Sequence, residues 1–174
     1  MSNVEAVNAE IESAAEEENL QKDRYMTFKC GDEYYGIGIS YVEEITAIQP
    51  ITEVPEMENF VKGLINLRGK IVPVIDVRLR FGKDEIPYND RTCIMVINVK
   101  DTKIGLIIDS IAEVVTIPEA EVVPPPNMGG GTGADRFVYG IGKIGEDVKL
   151  LINPTKLIYE NMENVEEEGA QADE

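Results

Sequence analysis

From Arg24 onward the chain alternates short apolar runs with turn residues, and this pattern predicts strands. Tyr25-Met26-Thr27-Phe28-Lys29-Cys30 leads into Gly31-Asp32-Glu33, and Tyr34-Tyr35-Gly36-Ile37-Gly38-Ile39 follows. Two β-rich runs around a Gly-Asp pair predict a hairpin. Further runs at 71–75, 93–97 and 104–108 are rich in β-branched residues. Apolar spacing of period 3.6 is scarce. The one helix predicted starts at Asn153-Pro154 and spans about 153–162, because asparagine is a good N-cap and proline suits the first helical position. Short strands at close spacing with little helix predict an all-β sandwich or barrel.

The pattern repeats. Shifted by 69 positions, Met26 falls on Met95, Asp32 on Asp101, Gly36 on Gly105, Val42 on Ile111, Glu44 on Glu113, and Val54-Pro55 on Val123-Pro124. Shifted by 77, Phe60-Val61 falls on Phe137-Val138, Gly63 on Gly140 and Ile75 on Ile152. Matched glycine, aspartate and proline carry more weight than matched apolar residues, since each constrains turn geometry. The change of shift lies in Pro125–Arg136, which holds Gly129-Gly130-Gly131. Two related β lobes are therefore expected, about 24–88 and 91–152, joined at Pro87-Tyr88-Asn89-Asp90. A lobe of ~65 residues is marginal alone. The two should share a face, and the crevice between them is the default place for a partner.

Charge changes this picture mainly at the ends. The 174 residues carry a formal charge of −17, with 33 acids, 16 bases and no histidine. Residues 1–23 hold seven acids and one lysine, and residues 160–174 hold seven acids and no base. The body, 24–159, keeps 19 acids and 15 bases. Acidic segments poor in large apolar residues do not bury enough surface to order themselves. Residues 1–23 and 163–174 are accordingly expected to be disordered acidic tails. The charge speaks against nucleic acid and against anionic membrane as partners. No run of about 18 apolar residues predicts a membrane span. The start lacks the basic and apolar regions of a signal peptide. Cys30 and Cys93 sit in apolar runs, so reduced thiols and a cytoplasmic location are expected.

Candidate chemistry is thin. Gly140-Ile141-Gly142-Lys143-Ile144-Gly145 matches the dinucleotide fingerprint G-x-G-x-x-G, but a second strand-like run follows where a helix is required, so a hairpin is the better reading. Gly129–Gly133 lacks the Gly-Lys-Ser/Thr ending of a phosphate loop. Asp76, Asp109 and Glu113 could ligate a hard cation by composition, without a supporting spacing. A carboxylate enzyme working in the crevice stays open as an alternative, and clustered acids in a pocket would mark it. Asn66-Leu67-Arg68-Gly69 stands out as a hairpin tip carrying an arginine. Its guanidinium either pairs with an acid such as Asp76 or Glu44 or is presented to a partner, and the two roles are compatible.

The run Phe60-Val61-Lys62-Gly63-Leu64-Ile65-Asn66-Leu67-Arg68-Gly69-Lys70-Ile71-Val72-Pro73-Val74-Ile75-Asp76-Val77-Arg78 closely resembles the signature segment of the CheW-like domain family, the adaptors of bacterial chemotaxis. The resemblance extends over about 24–160. It includes Gly31–Ile37, Val42-Glu43-Glu44-Ile45, Gly105–Asp109 and Tyr139–Gly142. It implies two SH3-like β-barrel subdomains packed together, with a short C-terminal helix. It also implies no catalysis, no cofactor and no metal. The implied role is a cytoplasmic scaffold linking methyl-accepting chemoreceptors to the histidine kinase CheA, recruited to membrane receptor arrays. For receptor binding the matching positions are Val42, Glu44, Gly63, Asn66, Leu67, Arg68 and Gly69, in the groove between barrels. For CheA they are Gly105, Ile107 and Val114, on the second barrel. The interface implied has an apolar centre of Val42, Ile45 and Leu67 with Glu44 and Arg68 at its rim. Thr46-Ala47, Glu53 and Met57-Glu58 depart from residues common in the family and make the first barrel's rim more acidic.

Overall fold

The computed structural model describes residues 2–16, 22–126 and 133–160. The expected tail over 163–174 and the glycines at 129–131 lie outside them. Among the described residues eleven strands form two sheets. The strands are β1 (Arg24–Cys30), β2 (Glu33–Gly38), β3 (Val42–Ala47), β4 (Val61–Leu67), β5 (Lys70–Asp76), β6 (Cys93–Val99), β7 (Thr102–Ile108), β8 (Ser110–Thr116), β9 (Val122–Val123), β10 (Val138–Ile144) and β11 (Asp147–Ile152). Sheet A has the order β8-β1-β2-β11-β10-β9, and sheet B the order β3-β6-β7-β5-β4. Helices are α1 (Ser2–Glu16), α2 (Val77–Arg80) and α3 (Pro154–Tyr159). The fold is all-β, with two SH3-like β subdomains and a short C-terminal helix, as the sequence predicts.

The internal repeat is visible strand for strand. Under the shifts of 69 and 77, β3, β6, β7, β5 and β4 of sheet B correspond to β8, β1, β2, β11 and β10 of sheet A. Each sheet thus has the same order, but each takes its first hairpin from the other repeat. In consequence β2 pairs in parallel with β11 and β7 with β5. This corrects the expected lobe boundaries at 24–88 and 91–152: each sheet mixes strands from both halves of the chain. A swapped hairpin in each direction makes separation of the halves break four ladders, β1–β8, β2–β11, β3–β6 and β5–β7.

Three apolar clusters follow from this arrangement. Ile65, Val72, Val74, Ile94, Val96 and Ile107 fill the concave side of sheet B. Tyr25, Val115, Ile117 and Leu151 do the same for sheet A. Between the sheets lies the largest cluster, which includes Phe28, Tyr35, Phe81 and Phe137 in sequential ring contact at 4.8–5.9 Å. Arg80 is buried at this seam. Its guanidinium lies 4.4 Å from the centre of the Phe60 ring and 4.8 Å from that of Phe137. Those two phenylalanines are equivalent in the repeat. Arg80 Nε donates to the Leu157 carbonyl at 2.7 Å, and Nη2 donates to Lys156 and Glu160 carbonyls. The last turn of α3 leaves the Leu157 and Glu160 carbonyls without helical partners, and Arg80 satisfies them while adding a second donor to Lys156, whose carbonyl also accepts from Glu160 N–H at 3.0 Å.

The region 1–23 does not behave as expected. Ser2–Glu16 is the helix α1, lying against β3 and β8 with Val7 and Ile11 buried. Val4, Val7, Asn8 and Ile11 face inward at i, i+3, i+4 and i+7, the spacing of an amphipathic helix, and Glu5, Glu10 and Glu12 are exposed on its surface side. The acids raise the net charge without occupying that stripe. At the other end Asn153 caps α3 by accepting from Lys156 N–H at 3.1 Å, where the sequence places the cap; the helix closes at Tyr159, short of the expected 162.

Both cysteines are buried and unpaired with each other. Burial, with Asp109 nearby, pushes the Cys30 thiol up from 9.0 to about 12. Burial likewise pushes Cys93 up from 9.0 to about 12. The native state keeps both protons where the unfolded chain releases them, so this contribution to stability is full below pH 9 and is lost as pH rises toward 12. Neither thiol should react with a thiol-specific reagent in native protein at pH 8, and both should react in denaturant. Fast labelling of the native protein would contradict this burial.

Candidate functional site

The hairpin β4–β5 turns in two residues, Arg68 and Gly69, between the paired residues Leu67 and Lys70. Their φ values of +50° and +85° are those of the hairpin turn whose twist matches the flanking strands. Glycine adopts this geometry freely; arginine does not, and the Arg68 backbone is held there by its neighbours. Asn66 Oδ1 accepts from Gly69 N–H at 2.9 Å and closes the loop. The tip is therefore a rigid mount for one long cationic side chain.

That side chain reaches β3. Arg68 Nη1 donates to Glu44 Oε2 at 3.1 Å, and Nη2 donates to Glu44 Oε1, a two-pronged ion pair. The arginine side chain is 71% exposed and the glutamate 22%. Hydrogen bonding to Glu44 raises the already high proton affinity of the guanidinium. Of the two acids that the sequence offers to Arg68, geometry selects Glu44. Asp76 is already occupied: Oδ1 accepts from Arg78 N–H at 2.9 Å and Oδ2 from the Tyr88 hydroxyl at 2.8 Å. The pair joins β3 and the β4–β5 tip, the two outer strands of sheet B, and so draws its edges together.

Gly63 plays a different part. Its φ is +141° at a bulge in β4. A Cβ there would stand 2.1 Å from the Thr52 carbonyl oxygen. Thr52 bridges to Leu64 through two backbone hydrogen bonds of 2.8 and 2.9 Å. Gly63 permits the segment around Thr52 to lie on β4; it is a shape requirement of the rim, with no contact group of its own.

The structure thus brings Glu44, Asn66, Arg68 and Gly69 together at one end of sheet B and places Gly63 along the same β4 strand. The expected apolar centre is corrected. Val42 and Ile45 are buried in the cluster between the sheets, where Val7 and Ile11 of α1 also lie. Leu67 packs against the interior of sheet B. Of the expected receptor-binding residues those that reach solvent are polar, with Ile71 exposed beside them opposite Asn66, while α1 covers Val42 and Ile45.

Gly105, Ile107 and Val114 do not form one patch. Gly105 and Ile107 lie on β7, a central strand of sheet B beside β5 of the first repeat, and Val114 lies on β8 of sheet A. A Cβ at Gly105 would meet Ile94 Cγ2 and Val74 Cγ1 at 2.7 Å, inside the sheet B cluster. Ile107 belongs to that cluster. Val114 is half-buried against the core between the sheets. The close approach expected at Gly105 is therefore internal.

The remaining candidates are structural. Asp109 Oδ2 accepts from Arg78 Nη1 at 2.6 Å and from Gly31 N–H at 2.8 Å. Glu113 is fixed through its backbone, which exchanges two hydrogen bonds with the Thr27 hydroxyl. Among the described residues no group of His, Cys, Asp or Glu is placed to hold a metal ion. The segment Gly140–Gly145 forms β10 and its turn into β11, the hairpin expected from the sequence. No helix among the described residues is long and apolar enough to cross a membrane.

Comparison with known proteins bears on this site. The profile of the CheW-like domain matches residues 24–162. The chain is 32% identical over 134 residues to the chemotaxis protein CheW of Klebsiella aerogenes, covering 77% of this chain and 80% of that one. It is 33% identical over 143 residues to the chemotaxis protein CheW of Treponema pallidum, covering 80% and 84%. The crystal structure of the scaffolding protein TtCheW from Thermoanaerobacter tengcongensis superposes with a TM-score of 0.73 at 35% identity, covering 80% of this chain and 94% of that one.

Proposed function

The chain belongs to the CheW-like domain family, and from that premise we propose that it is a chemotaxis adaptor without catalytic activity, linking the cytoplasmic helical tips of chemoreceptors to the histidine kinase CheA. The observation that carries the receptor half of this reading is the Arg68–Glu44 clasp. An arginine on a rigid turn, mostly exposed and paired with one carboxylate through two of its N–H groups, still has N–H donors for a partner. Val42, Glu44, Gly63, Asn66, Leu67, Arg68 and Gly69 are proposed as the receptor-binding set. Within it Glu44, Asn66 and Arg68 make contact, Gly63 and Gly69 shape the backbone, and Val42 and Leu67 support from beneath.

The CheA-binding face is proposed over β7 and β8. Val114 is placed to take part in it, while Gly105 and Ile107 act from below by keeping β7 close to β5 and β6. A cytoplasmic location and recruitment to receptor arrays belong to the same proposal. The rim, acidic at Glu53 and without bases at Thr46 and Ala47, then bears on which receptors are chosen. The alternative of a carboxylate enzyme loses support from Asp76 and Asp109, whose oxygens are taken up by Arg78, Tyr88 and backbone N–H groups.

Co-sedimentation with receptor-bearing membranes and purified CheA tests the reading. The protein is expected to pellet with receptor and to raise the amount of CheA that pellets. Recovery of the protein in the supernatant at every receptor concentration would overturn it.

A further inference from the structure

Sheet A ends on one side at β8 and sheet B at β3, and these two outer strands are equivalent in the repeat. α1 lies along both and fills the seam between them. Its hold is specific. Asn8 Nδ2 donates to the Ile45 carbonyl at 3.1 Å, and Asn8 Oδ1 accepts from Ile45 N–H at 2.9 Å. One side-chain amide thereby pairs with the open edge of β3 as a neighbouring strand would. Val7 and Ile11, 7% and 5% exposed, sit over Val42 and Ile45 in one cluster. The hold is also small. Among the described side chains, two buried apolar groups, the half-buried Val4 and one amide secure a 15-residue helix, a length that is marginal in isolation. Beside Val4 the seam stays open as a cleft lined by Ala47, Thr92, Ser110 and Ile111.

We propose that α1 is an intramolecular occupant of the groove between the sheets, and that a partner helix with an apolar stripe of the same spacing displaces it. The inference rests on the receptor-binding reading above, because that reading puts a helical partner on β3 at Glu44, above Val42. The two helices then exclude one another. With α1 docked most of the time, apparent affinity falls by the fraction of molecules whose groove is free. Anything that loosens α1 tightens the complex.

The test uses the full chain and a soluble helical-hairpin fragment of a chemoreceptor's cytoplasmic tip. Hydrogen exchange is followed at the amides of 7–11, with and without saturating fragment. Affinity is measured for wild type, Asn8→Ala and the surface control Ala9→Ser. Displacement is expected to abolish protection at 7–11 in the complex. Asn8→Ala should bind several-fold tighter, up to about tenfold given the two hydrogen bonds it removes, with Ala9→Ser unchanged and all three circular dichroism spectra alike. Retained protection at 7–11 in a saturated complex, or equal affinity of wild type and Asn8→Ala, would overturn the inference and leave the adaptor reading standing. Failure of all three proteins to bind would reject the adaptor reading, and this inference with it.

Discussion

Arg80→Met should lower stability by about 3–4 kcal/mol. Methionine keeps much of the volume between the Phe60 and Phe137 rings. It loses the guanidinium that stacks on both and donates to the carbonyls of Lys156, Leu157 and Glu160. Those carbonyls close α3, whose Leu157 and Ile158 are buried in the core between the sheets. A buried acceptor left without a donor bears its full desolvation cost. Arg80→Lys should be milder, because an ammonium keeps the charge and some hydrogen bonding but neither forks nor stacks as a plane. Urea unfolding measures both. A loss below about 1 kcal/mol for Arg80→Met would show that the seam between the subdomains is held elsewhere.

Arg68→Glu is expected to do the reverse: receptor association falls by about tenfold or more while the unfolding transition stays near wild type. The side chain is largely in solvent, and exposed ion pairs contribute little to folding. The substitution sets a second carboxylate against Glu44 and turns a donor surface into an acceptor surface. The charge swap Arg68→Glu with Glu44→Arg separates two contributions. If the clasp only ties β3 to the β4–β5 tip, the swap restores association. If the arginine is presented to the partner from its turn, the swap leaves association weak. The second outcome is expected, since Asn66 and Gly69 already close the turn without help from Glu44. Co-sedimentation and a melt on the same samples give both readings. A destabilised Arg68→Glu would make its role structural.

Much of this is legible in the sequence. Strand runs, the Asn153 cap, the hairpin at Gly140–Gly145 and the repeat all rest on local residue chemistry, which acts over a few positions. The swapped hairpins were not legible. Matching Gly36 with Gly105 says that two strands are equivalent, and nothing in either says which copy's β5 or β11 it lies beside. That choice is made by packing: Gly105 leaves room for Val74 and Ile94, and Gly36 for Leu151 at 3.2 Å. α1 was hidden by charge. Summed over 1–23, seven acids outweigh five large apolar residues, yet Val4, Val7 and Ile11 fall on one stripe with Asn8 between them. Read by position rather than by total, the stripe is visible. Arg68 was found because its turn is written in four residues. Its partner was narrowed to two acids, and only the prior engagement of Asp76 by Tyr88 and the α2 amides decides between them.

The central claim is that one face of this protein, built on β3 and the β4–β5 tip, receives a chemoreceptor. Titration of isotope-labelled protein with an isolated receptor hairpin, followed through backbone amide shifts, tests it most directly. The account expects saturable shifts concentrated at 42–45 and 66–69, with the far side of sheet A around β9 and β10 unmoved. Shifts centred on β9 and β10, or none at receptor concentrations that saturate an authentic adaptor, would contradict it.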